Sequence, residues 1–159
     1  KLEGGKRSAA VIKGIVEAGI PVCGHIGLTP QTSSMMGGFK VQGKSMEAVE
    51  RLLEDAKAIE EAGAFMVMVE GVPTAVTTYL KERINIPIIG IGAGADCELQ
   101  GLIMQDMLGL YEWVPKFAKK YALLRQQVID AFNTYHQEVA EGAFPTPEYS
   151  YNTKVEGLE

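Results

Sequence analysis

The sequence predicts an α/β fold of parallel strands joined by helices, and three strand ends support this prediction. Apolar segments stop abruptly at Gly24-His25, at Glu70 and at Gly90, and stretches with helical spacing of apolar residues separate them. The carboxyl ends of parallel strands lie at one edge of a sheet. The polar residues that follow these segments are therefore predicted to share one face, where the chemistry would take place.

Helices and strands alternate along residues 1–109. The helix predicted over 44–62 is the clearest, because its apolar residues recur on one face, Ser45 is a typical N-cap and Gly63 follows its end. The loop over 29–43 has no period and is predicted to be functional. The predicted elements are a strand end at 1–5, a helix at 8–18, strands at 20–23 and 64–69, a helix at 73–84, a strand at 86–90, a helical turn near 96–100 and a strand at 101–106.

Composition narrows the class of protein. The 159 residues carry a net charge of -5, which offers no basic field for a nucleic acid. No apolar run approaches the roughly 20 residues of a membrane-spanning helix. The hydrophobic content of 47% predicts a packed globule. Two cysteines are too few for a disulfide framework, so a cytoplasmic protein is expected.

Five glycine-rich motifs in one order make the chain resemble the ketopantoate hydroxymethyltransferase family. These motifs, with the segment that opens the chain, are Lys1-Leu-Glu-Gly-Gly5, Gly24-His-Ile-Gly-Leu-Thr-Pro-Gln31, Gly37-Gly-Phe-Lys-Val-Gln-Gly43, Glu70-Gly-Val-Pro73, Gly90-Ile-Gly-Ala-Gly94 and Asp106-Met-Leu-Gly109. The resemblance implies a (β/α)8 TIM barrel, which takes about 250 residues. The chain would supply roughly its second half and the C-terminal helices. An N-terminal half, joined covalently or cleaved, is then an expected partner, and the family implies a ring-like homo-oligomer, a decamer.

The resemblance also implies a reaction. It is the Mg²⁺-dependent transfer of a hydroxymethyl group from 5,10-methylenetetrahydrofolate to the keto acid 3-methyl-2-oxobutanoate, which gives ketopantoate for pantothenate biosynthesis. One alternative is another Mg²⁺-dependent keto-acid lyase or mutase barrel, although neither Cys23 nor Cys97 lies in the cysteine motif typical of those enzymes. A second alternative is a non-catalytic subunit that kept the fold and lost turnover.

Glu70 is the candidate general base. Its carboxylate follows an apolar strand and would project from the sheet's carboxyl edge into a partly desolvated site, which suits proton abstraction. By position alone, an interaction with the dipole of the helix predicted at 73–84 is equally favoured. The resemblance decides for catalysis, because the family's proton-abstracting glutamate falls in the equivalent motif.

Lys1 and Glu3 have the spacing of residues on one strand face. Taken alone, this spacing favours a surface ion pair worth roughly 0–1 kcal/mol. The resemblance instead implies that Lys1 binds substrate and that Glu3 is associated with Mg²⁺, through water. The family's principal metal ligands, two aspartates, would belong to the N-terminal half.

His25 follows an apolar strand, and this position fits either a core histidine or a hydrogen-bond donor to the keto acid. The motif match favours substrate contact. His136 is expected to be structural or exposed. Gly90, Gly92 and Gly94 resemble a phosphate-binding loop, but the resemblance makes them part of the wall near the folate. The chain departs from the family pattern nearby, at Glu98-Leu99 and at Gln105.

Residues 110–159 form a different region, treated with the rest as one domain over 1–159. One long helix is predicted from Pro115 to Ala140, before Pro145 and Pro147 end regular structure. Apolar residues at helical spacing predict a face buried against the barrel or another subunit, rather than a cofactor site. They are Phe117, Tyr121, Leu124, Val128, Phe132 and Tyr135.

Overall fold

The computed structural model describes residues 1–157, and they form an α/β structure with one parallel sheet. The strands are β1 (Leu2–Glu3), β2 (Cys23–Gly27), β3 (Met66–Glu70), β4 (Ile88–Ile91) and β5 (Leu99–Gln100), paired in that order. The helices are α1 (Ala9–Glu17), α2 (Met46–Glu61), α3 (Thr74–Lys81), α4 (Met104–Met107) and α5 (Arg125–Ala140), with 3-10 turns at Lys6–Ser8, Pro30–Met36 and Pro147–Tyr149. The α/β class and the parallel sheet are confirmed.

The chain divides into two compact units, Lys1–Leu102 and Ile103–Glu159. The first holds the whole sheet and helices α1 to α3. The second holds α4 and α5. Nothing along residues 1–157 forms a helix with the length and apolar character needed to cross a bilayer.

The core of the first unit lies between the sheet and α2. Ser45 caps α2 by accepting the N–H of Ala48 at 3.3 Å, as the sequence predicts. The buried face of α2 consists of Val49, Leu52, Leu53, Ala56 and Ile59. Each large apolar side chain buried in this way contributes about 1.5–3 kcal/mol. Gly24 of β2 faces this helix, because a Cβ built there would lie 2.4 Å from Cγ2 of Ile59.

Strand β2 differs from the prediction in its bounds. It runs from Cys23 to Gly27, so His25 lies inside the strand and not at its end. The apolar residues 20–22 come before it, where Pro21 has no N–H to donate to a sheet. In the sequence, Gly24 and Gly27 make residues 24–27 resemble a turn. The structure shows that Gly24 is needed instead for the close approach of α2.

Residues 96–106 also differ from the prediction. The segment expected to hold a helical turn contains β5, and the segment expected to be a strand holds α4. Glu98 anchors this region, since its Oε2 accepts the N–H of Ile88 at 2.9 Å and its Oε1 lies 3.0 Å from Nζ of Lys81. Burial alone would raise the pKa of Glu98, but these two partners hold that pKa below its ordinary value.

The long helix predicted from Pro115 is wrong over its first ten residues, because α5 begins only at Arg125. The preceding segment packs on α4 instead: the N–H of Tyr121 donates to the carbonyl of Met107 at 2.7 Å. No residue of α5 is buried. The exposed fractions of Phe132 and Tyr135 are 69% and 55%. Burial of this aromatic face by another subunit therefore stays a prediction.

Candidate active site

The register of three neighbouring strands brings the predicted site residues together. Glu3 pairs with His25 between β1 and β2, and Gly27 pairs with Glu70 between β2 and β3. Gly24 and Ile26 lie on the face of β2 that packs against α2. Because side chains alternate along a strand, His25 points to the opposite face. Its imidazole lies between the carboxylates of Glu3 and Glu70.

Lys1 contacts the imidazole of His25 directly. The distance from its Nζ to Nδ1 of His25 is 2.8 Å. A lysine ammonium can only donate, so Nδ1 of His25 accepts and the ring proton of the neutral imidazole is placed on Nε2. The predicted surface ion pair between Lys1 and Glu3 is not formed, because Lys1 binds the histidine instead.

Nε2 of His25 is the unusual atom of the site. It lies 3.2 Å from Oε2 of Glu70, yet their relative orientation does not make a hydrogen bond. Nε2 is thus a buried side-chain atom without a hydrogen-bond partner among residues 1–157. A buried donor left unsatisfied costs about 1–3 kcal/mol. Such an atom, with a carboxylate beside it, is suited to receive a polar group of a ligand.

Glu3 supplies a hard oxygen donor on the other side of the histidine. Its Oε1 lies 3.7 Å from Nδ1 of His25, and its Oε2 accepts the backbone N–H of Gln31 at 3.1 Å. The side chain of Glu3 is 9% exposed. A carboxylate with one oxygen engaged by a backbone N–H and the other 3.7 Å from an imidazole nitrogen fits a single contact to Mg²⁺, which keeps several waters.

A complete metal site is not formed by these residues alone. No cluster of three or more histidine, cysteine, aspartate or glutamate side chains suited to a metal ion occurs within residues 1–157. Glu3 is therefore one candidate contributor to such a site. This arrangement is compatible with the expectation that the principal ligands come from elsewhere.

Glu70 is held in place by its backbone. Its carbonyl accepts the N–H of Leu28 at 2.7 Å, which ties the end of β3 to the residue after β2. Gly27 makes this approach feasible, since a Cβ there would lie 2.3 Å from the carbonyl oxygen of Glu70. Gly27 also has a φ of 85°, a conformation that favours glycine. The side chain of Glu70 is 12% exposed.

The glycines after β4 have local packing reasons. A Cβ on Gly90 would lie 2.2 Å from Sγ of Cys97, and one on Gly94 would lie 2.3 Å from Oγ1 of Thr74. Gly92 and Gly94 have positive φ, at 61° and 84°. Close packing and turn geometry thus explain these residues without a ligand, and their contact with folate stays a prediction.

Thr29 and Thr32 contact each other in the loop after β2, and sequence reasoning did not single them out. Thr29 is buried after β2, and its hydroxyl is 2.6 Å from that of Thr32 and 3.4 Å from the sulfur of Met36. The Thr-Pro pair in this segment reads as an ordinary loop start. The sequence feature that could have indicated these threonines is that their loop follows a strand with a candidate histidine.

The two cysteines behave as structural residues. Burial raises the pKa of both Cys23 and Cys97 above the ordinary thiol value. Nucleophilic cysteines have a lowered pKa. This disfavours the alternative of a barrel enzyme with a catalytic cysteine.

Comparison with known proteins identifies the family. A family model described as ketopantoate hydroxymethyltransferase matches residues 1–147. The chain belongs to the ketopantoate hydroxymethyltransferase family. It is 51% identical over 166 residues to a 3-methyl-2-oxobutanoate hydroxymethyltransferase of Syntrophobacter fumaroxidans, and 52% identical over 161 residues to a protein of the same name from Heliobacterium modesticaldum.

The match covers nearly all of this chain but only part of each relative. The alignments span 100% and 99% of the chain, against 59% and 58% of the two proteins. The chain is also 51% identical over 160 residues to a family member from Enterococcus faecalis, and the alignment spans 58% of that protein. The chain therefore spans about three fifths of the length of these ketopantoate hydroxymethyltransferase relatives.

Gly27→Ala should destabilise the protein and disturb Glu70. The cost should be about 2–4 kcal/mol, because the new Cβ meets a backbone oxygen and the positive φ becomes strained. Urea unfolding measures this change. Gly14→Ala is the matched control: Gly14 is in α1 with open space around it, so alanine should stabilise by about 0.5–1 kcal/mol. Equal stability of the two variants would contradict the assigned role of Gly27.

Proposed function

We propose that this chain carries the proton-transfer residues of an enzyme that forms ketopantoate from 3-methyl-2-oxobutanoate and 5,10-methylenetetrahydrofolate. The observation that supports this best is the unpaired Nε2 of His25, buried beside the carboxylate of Glu70. The relatives' name, 3-methyl-2-oxobutanoate hydroxymethyltransferase, supports this choice of keto acid. The folate donor is proposed from the family resemblance.

Each residue has a task in the proposed reaction. Glu70 removes the proton from C3 of the keto acid, and the carbanion that forms attacks the methylene carbon of the folate donor. His25 donates a hydrogen bond from Nε2 to an oxygen of the substrate. Lys1 fixes the tautomer of that histidine by donating to Nδ1, and its positive charge attracts the substrate carboxylate. The attack breaks one carbon–nitrogen bond of the methylene bridge, and that folate nitrogen takes up the proton removed from C3. Water then displaces the second folate nitrogen from the same carbon, supplies the hydroxyl oxygen and leaves a proton on that nitrogen, which releases ketopantoate and tetrahydrofolate.

A magnesium ion would be associated with Glu3, through water. When bound, it supplies Lewis-acid stabilisation of negative charge on the keto-acid oxygens. Glu3 itself also holds the start of the loop over 29–43 through the N–H of Gln31.

We further propose that these strands belong to a (β/α)8 barrel completed by an N-terminal half, in a cytoplasmic ring-like homo-oligomer. Within residues 1–157 the sheet is open, with β1 and β5 as its edges. Unpaired strand edges favour association with further strands. The 159 residues expressed alone should associate or aggregate, and should form a defined species with the N-terminal segment of a relative. Light scattering of a folded, monodisperse monomer would refute this.

Glu70→Gln should abolish the first chemical step. The amide keeps the volume of the carboxylate but cannot take the proton, so the rate should fall roughly 10²–10⁴-fold. The step is measured without folate, as exchange of the C3 hydrogen of the keto acid in D₂O with Mg²⁺ and the active assembly. Glu61→Gln, at the exposed end of α2, is the control and should exchange at the wild-type rate. Wild-type exchange by Glu70→Gln would refute its role as the base.

Glu3→Gln and Lys1→Ala should separate metal from substrate effects. Glu3→Gln should raise the Mg²⁺ concentration needed for half-maximal turnover, because a charged oxygen donor is lost. Lys1→Ala should mainly raise the KM for the keto acid, since both the cation and the partner of Nδ1 are removed. Lys13→Ala, in an exposed pair with Glu17, is the control. Unchanged metal and substrate curves for both site variants would rule out these roles.

A further inference from the structure

The space between His25 and Glu70 is bordered by two further residues of the sheet. His25 of β2 pairs with Met68 of β3. Two residues later, Gly27 pairs with Glu70. We call these four residues the tile, which measures about 4.8 Å between the strands and about 6.6 Å along them. A small ligand that contacts both His25 and Glu70 therefore lies over the tile.

The two remaining corners of the tile differ in size. Gly27 has no side chain, so its corner leaves space for a ligand beside the two polar groups. Met68 carries a long thioether side chain at the other corner. Because side chains alternate along a strand, Met68 lies on the same face as Glu70, two residues later, and as His25, its partner in β2. The space over the tile is thus bounded by one apolar side chain.

Met68 lies outside the hydrophobic core of its unit. Val67 and Val69, its neighbours in β3, are fully buried in the core between the sheet and the helices. Within residues 1–157, neither Met66 nor Met68 belongs to that core or packs against it. Met68 is half-buried, so part of its apolar surface is left for a ligand to cover. Its unbranched thioether adapts to the shape of an apolar group.

The keto acid of the proposed reaction has an apolar end that fits this position. Its C3 carries two methyl groups and the hydrogen that Glu70 removes, and the neighbouring carbon bears the keto oxygen. Nε2 of His25 and Oε2 of Glu70 are 3.2 Å apart, so a molecule that contacts both atoms has its C3 over the tile. A methyl group there gains most by covering apolar surface, which Met68 supplies.

We propose that Met68 determines which keto acids the site accepts. Its thioether packs against one methyl group at C3 and limits how far a substituent extends towards the amino end of β3. The site accepts a methyl group in this position and disfavours an ethyl group. This assignment rests on the proposed function, which places a C3-branched keto acid between His25 and Glu70.

Calorimetry measures this selectivity without turnover. The probes are 3-methyl-2-oxobutanoate and racemic 3-methyl-2-oxopentanoate, which carries an ethyl group in place of one methyl group. Each is titrated into the active assembly with Mg²⁺. One methylene group in an apolar pocket changes affinity roughly tenfold or more. The wild type should therefore prefer the smaller probe, and Met68→Ala should reduce this preference roughly tenfold, because the shorter side chain leaves room for the ethyl group.

Two further variants separate selectivity from a general loss of packing. Met68→Leu keeps the volume of the side chain and should keep the wild-type preference between the probes. Met66→Ala is the matched control. Met66 lies on the same face of the same strand, but it pairs with Cys23, one layer further from Glu70. The preference of Met66→Ala should equal that of the wild type.

Hydrogen exchange in D₂O separates this proposal from the proposed function. Met68→Ala should exchange the C3 hydrogen of the larger keto acid, relative to the smaller one, roughly tenfold faster than the wild type does. Binding selectivity that depends on Met68, with no exchange in the wild type, would refute the proposed function and keep the assignment of Met68. Wild-type exchange with an unchanged preference in Met68→Ala, or with an equal loss of preference in Met66→Ala, would overturn the assignment of Met68 and keep the proposed function.

Discussion

The site depends on one hydrogen bond, from the ammonium of Lys1 to Nδ1 of His25. Without it, a nearly fully buried imidazole would lie between two carboxylates with no fixed tautomer. With it, Nδ1 accepts a hydrogen bond and the ring N–H is placed on Nε2, where it can meet an oxygen atom of a ligand. The unfavourable burial of Nε2 is a local cost that substrate binding can relieve.

The surrounding strands provide what this hydrogen bond requires. Short parallel strands place Glu3, His25 and Glu70 on neighbouring strands of the sheet, and Gly27 lets β3 approach β2. The packing of α2 on Gly24 fixes the opposite face of the same strand. Stability and site geometry thus depend on the same few backbone positions.

Much of this could be predicted from the sequence. The helical period of α2, its Ser45 cap and the strand end at Glu70 follow from local patterns, and the observed bounds agree within one or two residues. The family resemblance selected Lys1, Glu3, His25 and Glu70, which the structure places near one another. Local patterns could not give the position of β2, because Gly24 serves a contact with Ile59, thirty-five positions later in the chain.

The C-terminal region shows the same limit. Helical spacing from Pro115 onward predicted one long helix. Hydrogen bonds from Tyr121 to Met107 of α4 and from Leu124 to Leu108, just after α4, compete with helix formation before Arg125.

The alternation of β2 has a consequence for how this protein can fail. A slip of one residue in its pairing would turn His25 toward α2 and would place Gly24 or Ile26 beside the carboxylates. Such a molecule would bury an imidazole in an apolar core and lose the histidine from the site at once. Misregistered chains should therefore be unstable and should also lack the clustered side chains of the site, so the fraction of molecules that keep the contact between Lys1 and His25 reports the fraction that have folded in the native register.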